Sequence, residues 1–568
     1  MRLFTITLAL LLAAISVFSQ SSDKEIFVVT FSDKGPDILK SILAPENYLS
    51  EKAISRRQKH AVSFDESDLP LYQEYVSQVL STGVNVLSRS RWLNCIVVEG
   101  TKDVQGKLNK IPGVKNVTIL KTSGPPDHKN FDKKSIVALK EYNVKGLQKK
   151  ANGSDVYNYG AAENQISMIK GQYLHNLNYC GQGMTIAVLD NGFNRVDILS
   201  AFDSLWINNQ ILGTKDFVTP GANVFDPDAG SHGTMVLSTM ASNIPGTIVG
   251  TAPKADYWLI HTEDNAGESY IEEYYWVSGA EFADSVGADV INSSLGYTTF
   301  PNSPAYDHTY ADMDGNTCVS TIGADMAVKK GILVVNSAGN SGENYDPWQY
   351  IGAPADGDSV FTIGAVDGTG IRASFSSKGP TYDGRIKPDI AAQGLDDAVF
   401  FWDNGTQQGK IYYGSGTSFS SPIIAGMSAC LWQSVPDKSN MDIIQSLRAT
   451  ASNSQMPDTL VGWGIPDYEQ ARLQLSLGTP ELPARPGLKV FPNPFSLSFT
   501  AILPEALEGR IVAEIISPDG KIMISRHLDS SFPIQSLYMN DLTGLKAGIY
   551  ILRVIDKNNV FTSTCIRY

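Results

Sequence analysis

Thr185-Ile186-Ala187-Val188-Leu189-Asp190-Asn191-Gly192 decides the fold of this 568-residue chain. The run is apolar almost throughout and closes on a carboxylate and a glycine turn. A strand without a polar side has both faces covered, which is the condition of a parallel sheet between layers of helix. Working outward, the same alternation recurs from residue 161 to 476. Strands are expected at Tyr257–His261, Val290–Ser294, Ile332–Ser337 and Phe361–Val366. Helices are expected at Thr234–Ala241, Tyr270–Val286, Cys318–Lys330 and Ser418–Trp432. The fold class is therefore α/β, a parallel sheet flanked by helices. Such sheets gather their chemistry at the carboxyl ends of the strands, and Asp190 ends one there.

Two distant segments supply what one aspartate cannot. Gly230-Ser231-His232-Gly233-Thr234 offers an imidazole, which titrates near neutrality and can act as a base. Gly414-Ser415-Gly416-Thr417-Ser418-Phe419-Ser420-Ser421-Pro422 offers a hydroxyl, a weak nucleophile until a base takes its proton. Asp190 would hold the ring in the required tautomer and stabilise its charged form. Ser337-Ala338-Gly339-Asn340-Ser341-Gly342 adds a side-chain amide in a glycine-rich loop after a strand. The glycines let side chains and a substrate backbone approach closely.

With these motifs, in the order Asp, His, Ser, the chain resembles the subtilisin-like serine proteases, and the similarity extends over nearly all of residues 180 to 470. The resemblance implies a catalytic triad of Asp190, His232 and Ser418, with Asn340 and the Ser418 backbone N–H as oxyanion donors. It implies that Ser294, Leu295 and Gly296 pair with substrate backbone as an added strand. It places Gly352, in Ile351-Gly352-Ala353-Pro354, at the base of the primary specificity pocket. Asn191 stands where that family often has Thr or Ser, and the insertion Tyr297 to Asn316, rich in Tyr and Asp, has no counterpart. This chemistry requires no cofactor. Calcium, bound by many relatives, is left without named ligands because no Asp-x-Asp-x-Asp-Gly loop is present.

Composition agrees with an exported, soluble enzyme. A net charge of −14 argues against a nucleic-acid partner. Residues 1–19 read as a signal peptide: Arg2, an apolar run from Leu3 to Val17, then small residues at cleavage spacing. That run falls short of the ~20 residues of a membrane span, so no transmembrane segment is expected after signal removal. The five cysteines, Cys95, Cys180, Cys318, Cys430 and Cys565, are odd in number and lack zinc-site spacing. At most one disulfide is expected within the core.

The flanks have their own character. Residues 20–122 read as a small α/β unit, with strands at Glu25–Phe31, Cys95–Val98 and Val117–Leu120. A helix is expected at Asp68–Gly83, with Asp68 as N-cap and Pro70 in the first turn. The unit resembles an inhibitory propeptide; the pattern alone also fits an unrelated accessory domain. Residues 123–160 form a polar linker with the pairs Lys133-Lys134 and Lys149-Lys150, either a site of maturation cleavage or a plain solvated connection. Beyond the stiff linker Thr479–Pro486, residues 487–568 show alternating strands such as Ile511–Ile516 and Ile549–Ile555, with a turn at Pro518-Asp519-Gly520, a small β-sandwich pattern. Phe491-Pro492-Asn493-Pro494-Phe495 and Gly544–Tyr550 resemble the C-terminal sorting domain of type IX secretion; a carbohydrate-binding or adhesive module is the alternative.

Together the resemblances imply a serine endopeptidase made as a zymogen, secreted from or displayed on a Gram-negative bacterium. Its partners would be protein or peptide substrates, its own propeptide as inhibitor, and outer-membrane secretion machinery. An adhesin built on the same scaffold is the competing class.

Overall fold

The computed structural model describes residues 24–120, 136–141, 155–265, 267–343, 348–477, 488–517, 521–556 and 560–567. The expected signal peptide, the two lysine pairs, the 479–486 linker and the Pro518-Asp519-Gly520 turn lie outside these. The chain divides into two compact units, Met1–Leu477 and Gly478–Tyr568.

The first unit opens with an antiparallel sheet of β1 (Lys24–Phe31), β2 (Asn85–Ser90), β3 (Cys95–Thr101) and β4 (Val114–Leu120), in the order β2-β3-β1-β4. Helices α1 (Glu51–Lys59) and α2 (Gln73–Leu80) accompany it. Alternation assigns its faces. Phe27, Val29, Phe31, Ile96 and Val98 bury against Val76 and Val79 of α2, while Val28, Cys95 and Val97 point the other way, onto Ile271, Tyr274 and Tyr275. The expected helix at 68–83 starts later, at Gln73. Asp65 is the N-cap of a separate short 3-10 turn, Glu66–Asp68; the Asp68 carboxylate accepts from the Asp65 amide and is held by Arg57 at 2.8 Å and Lys330 at 3.0 Å. A carboxylate committed to two buried cations is worth more there than at a helix end.

After a short strand, β5 (Ala138–Glu141), comes the parallel sheet. Its members are β6 (Thr185–Asp190), β7 (Ile211–Asp216), β10 (Asp256–His261), β11 (Val290–Ser293), β12 (Leu333–Ser337), β13 (Phe361–Val366) and β14 (Ile390–Gln393). The strands β8 (Asn243–Ile244) and β9 (Ile248–Val249) form a separate ribbon. The sheet order is β14-β13-β12-β11-β6-β10-β7, so β6 lies inside it. Ile186 and Val188 face one core and Ala187 and Leu189 the other, as an apolar strand in a covered sheet requires. Helices α3 (His232–Ala241) and α6 (Thr417–Ser434) pack on the first face; α4 (Ile271–Val286) and α5 (Val319–Lys329) pack on the second. Helices α7 (Asn440–Thr450) and α8 (Tyr468–Leu477) follow α6. The hairpin β15 (Asp397–Asp403) and β16 (Gln408–Ser415) takes β5 as a third, antiparallel strand.

An ionic seam joins the N-terminal sheet unit to α4. Asp284 accepts Arg56 at 2.7 Å, Arg57 at 2.6 Å and Arg91 at 2.8 Å. Beside it, Glu281 accepts from Ser90 Oγ and from the Arg91 and Trp92 amides; burial raises its pKa, and those bonds oppose the rise. On the other core face, buried His175 sits between Tyr159 Oη and the Thr251 carbonyl, each at 2.9 Å. Burial pulls its pKa down to about 4. All five cysteines are buried free thiols, so the one disulfide allowed for within the core is not formed.

The C-terminal unit is an antiparallel sheet of β17 (Lys489–Phe491), β18 (Phe499–Ile516), β19 (Ile522–Met539), β20 (Gly548–Ile555) and β21 (Val560–Arg567). Ile511–Ile516 is the second half of an 18-residue strand. Register shifts near Leu507 bend it, and both halves contribute to a core that includes Phe495, Phe499, Ile511, Ile515, Leu552 and Val554.

Candidate active site

Three strand ends and two helix starts converge on the site. Asp190 closes β6, Ser293 closes β11, and the loop carrying Asn340 follows β12. Asp190 is fully buried, and its Oδ1 receives His232 Nδ1 at 2.7 Å and the Asn191 amide at 2.8 Å. His232 is the first residue of α3. The approach of α3 to the Asp190 loop requires two glycines. A Cβ on Gly192, whose φ is +122°, would fall 1.4 Å from the Ala229 carbonyl oxygen; one on Gly233 would fall 2.3 Å from that of Gly192. The His232 Nε2 is buried and makes no hydrogen bond among the described residues.

Ser418 is the second residue of α6, so its N–H belongs to the first turn, whose amides point out of the helix end. Pro422, four residues on, has no N–H to give the Ser418 carbonyl. Ser294 Oγ takes that place, donating to the Ser418 carbonyl at 2.9 Å. Ser294 is itself held by Asn292, whose Nδ2 donates to it at 3.2 Å. The pattern Ser-x-x-x-Pro thus frees one carbonyl so that a neighbouring strand can fix the serine's backbone. Ser418 Oγ lies 3.4 Å from the Ser294 carbonyl, and the Phe419 ring lies 6.2 Å from that of His232.

Asn340 is oriented by Thr417. Its Oδ1 accepts from the Thr417 amide at 2.9 Å and from Thr417 Oγ1 at 3.0 Å, so the oxygen end of the amide is tied down and the NH2 end remains the donor side. Thr417 Oγ1 also accepts from the Gly339 amide at 3.1 Å. Sequence reasoning did not single out Thr417 for this; the signal was its place directly before Ser418.

The expected substrate-binding residues are spread by role. Ser294 points inward, as above. The Leu295 carbonyl accepts from Asn336 Nδ2 at 3.0 Å, and Gly296 is exposed. Tyr297 and Ala353 exchange backbone bonds at 2.7 and 3.1 Å, which brings Gly352 beside this strand end. Gly352 is buried, and a Cβ there would lie 2.9 Å from Thr298 Cγ2. The glycine is needed for that packing.

The insertion after Tyr297 is an aromatic and acidic knot. Tyr270 stacks on Tyr306 with centroids 4.8 Å apart, and Tyr306 Oη donates to the Ile119 carbonyl of the N-terminal sheet. Glu263, Glu268 and Glu272 are the described carboxylates that could together hold a cation, with oxygens within 4.8 Å of one another. Tyr297 Oη donates to Glu263 at 2.5 Å, and the Asp264 and Ser269 amides donate to Glu272 at 2.7 Å each. Close to the Ser418 loop, burial drives the Asp397 carboxyl well above the ordinary range, and neither of its oxygens has a hydrogen-bond partner among the described residues.

A model of the Subtilase family matches residues 181–464, half of the chain and all of the site. The chain belongs to the subtilase family. It is 32% identical over 290 residues to Subtilisin E of Bacillus subtilis (strain 168), covering 50% of this chain and 65% of that protein, slightly under two-thirds of its length. It is 31% identical over 290 residues to Subtilisin of Bacillus pumilus, with 90% of that protein covered. It is 30% identical over 308 residues to Subtilisin Savinase of Lederbergia lenta, with 97% covered. Residues 26–135 of this subtilase match the peptidase S8 propeptide domain of Bacteroidota, and residues 489–567 a secretion system C-terminal sorting domain. It is thus a precursor marked for secretion or the cell surface. No helix among the described residues is long and apolar enough to cross a membrane.

Proposed function

We propose that this subtilase is a secreted serine endopeptidase in which Ser418 is the nucleophile, His232 the base, and Asp190 the group that orients the base. The observation that carries the reading is the buried 2.7 Å bond from His232 Nδ1 to Asp190. It fixes the neutral tautomer with its lone pair on Nε2, the atom needed to take the Ser418 proton. Attack of Oγ on a peptide carbonyl carbon opens the C=O to an oxyanion. The Ser418 N–H and the Asn340 NH2 are the donors assigned to it, and they act where the charge develops. His232 then protonates the leaving amine, and water hydrolyses the ester by the reverse proton path. No cofactor enters these steps. Calcium at Glu263, Glu268 and Glu272 is not assigned, because the Glu263 and Glu272 carboxylates already answer to local donors.

The N-terminal sheet unit acts as inhibitor of its own enzyme, and the C-terminal unit as the address for export across the outer membrane of a Gram-negative cell. Ser418→Ala tests the core of the reading. Turnover of casein should fall by about 10⁶, and a phosphonyl fluoride should label the wild type and not the variant, with circular dichroism unchanged. Casein cleared at the wild-type rate would end the assignment.

A further inference from the structure

β6, β10 and β7 lie side by side in the sheet, and their last residues are Asp190, His261 and Asp216. The register sets His261 opposite Asp190 on one side and opposite Asp216 on the other. The row is locked in place: the Thr262 amide donates to the Asp190 carbonyl and the Phe217 amide to the His261 carbonyl, each at 3.0 Å. Parallel neighbours at one level point to one face of a sheet, and here it is the face of Val188 and Leu259, on which α3 packs. His261 and Asp216 repeat the acid–base pair beside them. His261 Nδ1 donates to Asp216 Oδ2 at 2.8 Å, as His232 Nδ1 does to Asp190 Oδ1 at 2.7 Å. Asp216 Oδ1 accepts the Val218 and Thr219 amides at 2.9 and 2.7 Å, a set of donors that suits a carboxylate. Both residues are only 7% exposed. With Nδ1 turned to β7, the other ring nitrogen turns away from it. His261 Nε2 and Asp190 Oδ2 are both buried, and neither has a hydrogen-bond partner among the described residues. Protonated, the first is a donor; the second is an acceptor, so their needs match. Other charges turn elsewhere. Lys215 lies over the Phe217 and Phe282 rings on the opposite face, Glu263 accepts from Tyr297, and Asp226 and Asp228 in the loop before α3 are exposed. What faces His261 is Asp216 from β7, Asp190 from β6 and, beyond Asp190, His232 from α3.

We propose that His261, carrying a positive charge and anchored by Asp216, is a positioning residue of this enzyme: it acts through Asp190, offsetting part of that carboxylate's hold on a protonated His232. The proposal rests on the reading of Asp190, His232 and Ser418 as the triad. An unopposed Asp190 favours the imidazolium form of His232, which cannot take the Ser418 proton, so at acid pH the base is already occupied. A cation one strand away repels that second cation and returns His232 to its working, unprotonated form at a lower pH. Two strand spacings separate the His261 and His232 charges by ~10 Å, and at an effective dielectric of about 20 their repulsion is worth about one pH unit. Asp216 keeps the buried imidazolium paired, so the arrangement adds no net charge to the core.

The test is the pH profile of kcat/KM for the matured enzyme on a chromogenic peptide. His261→Gln leaves Asp216 uncompensated beside Asp190, so the acid limb should move up by about one pH unit. Below the limb, kcat/KM should then fall about tenfold, carried by kcat and not by KM. Adding Asp216→Asn to His261→Gln removes both charges and should bring the limb back close to its wild-type position. A residue needed only for packing would show no such return, because the double variant disturbs the core more than the single one. Imidazole nitrogen NMR of the wild-type enzyme checks the same point without a variant: His261, identified by its Asp216-bonded Nδ1 proton, should carry protons on both nitrogens across the pH range of the limb. An active His261→Gln enzyme whose limb stays in place, or a neutral His261 across that range, overturns this inference and leaves the triad standing. A wild-type enzyme that neither takes a phosphonyl fluoride label nor clears casein overturns the triad reading itself.

Discussion

Asp284→Ala should loosen the grip of the N-terminal unit on the enzyme by two to four orders of magnitude. The Asp284 side chain is fully buried, as is Arg57, and those of Arg56 and Arg91 are 3% and 10% exposed. Without Asp284, Arg57 keeps Asp68 at 2.8 Å and Arg91 keeps Glu281 at 4.0 Å. Arg56 keeps only the carbonyls of Ala288 and Lys330, with no carboxylate in ion-pair range among the described residues. A buried guanidinium stripped of its carboxylate costs about 3–5 kcal/mol. At 1.36 kcal/mol per decade, that is roughly a 10²- to 10⁴-fold weaker complex. The assay supplies residues 24–135 as a separate polypeptide to the mature enzyme and reads the inhibition constant on a chromogenic peptide, for wild type and variant. Because the pairs are buried, raising the salt should leave the ratio nearly unchanged. A shift under tenfold, or one that high salt abolishes, would show that the seam is a solvated contact and the reasoning wrong.

Asn340→Leu should lower kcat by ~10²–10³ with KM little changed, since its NH2 acts on the developing oxyanion; a loss confined to KM would make it a binding residue. His175 sets an acid limit. Above pH 6.5 it is neutral folded or unfolded, whereas between 6.5 and about 4 the unfolded chain takes a proton that the folded one refuses. Stability should therefore fall with decreasing pH across that window, by roughly 3 kcal/mol in all. His175→Gln should flatten that slope in denaturant titrations at stepped pH, and an unchanged slope would count against it. Deleting residues 487–568 should strand the protein in the periplasm of its native host, with peptide turnover of the matured, truncated enzyme intact. Normal secretion would contradict the sorting role, and lost turnover would mean that this unit supports the catalytic one.

The parts legible in the sequence were those written in a single period or motif. β6 and β13 begin and end at the expected residues because their faces are uniformly apolar. β7 was not anticipated: Ile211–Asp216 is an edge strand with Thr214, Lys215 and Asp216 in it, so it carries no continuous apolar run. The helix placed at Asp68 failed because a good N-cap residue is also a good ion-pair partner, and only the fold brings Arg57 and Lys330 to it. Ser294 was recognised by position, but its hold on the Ser418 carbonyl depends on an absence, the missing amide of Pro422, which no residue-by-residue reading displays. The Asp190, His232 and Ser418 motifs were visible because each is local; the 2.7 Å bond between His232 and Asp190 is a product of sheet order.

The thiols carry one more consequence. With Cys95, Cys180, Cys318, Cys430 and Cys565 all buried and unjoined, no covalent bond other than the backbone ties any part of the chain to another. Severing the backbone once, anywhere between β4 and β5, is then a complete severance, and the inhibitor's residence is governed by dissociation alone. The same thiols make the fold indifferent to the redox state of its surroundings: a reducing cytoplasm, an oxidising periplasm and the external medium should yield the same enzyme, and its export needs no oxidase to finish it.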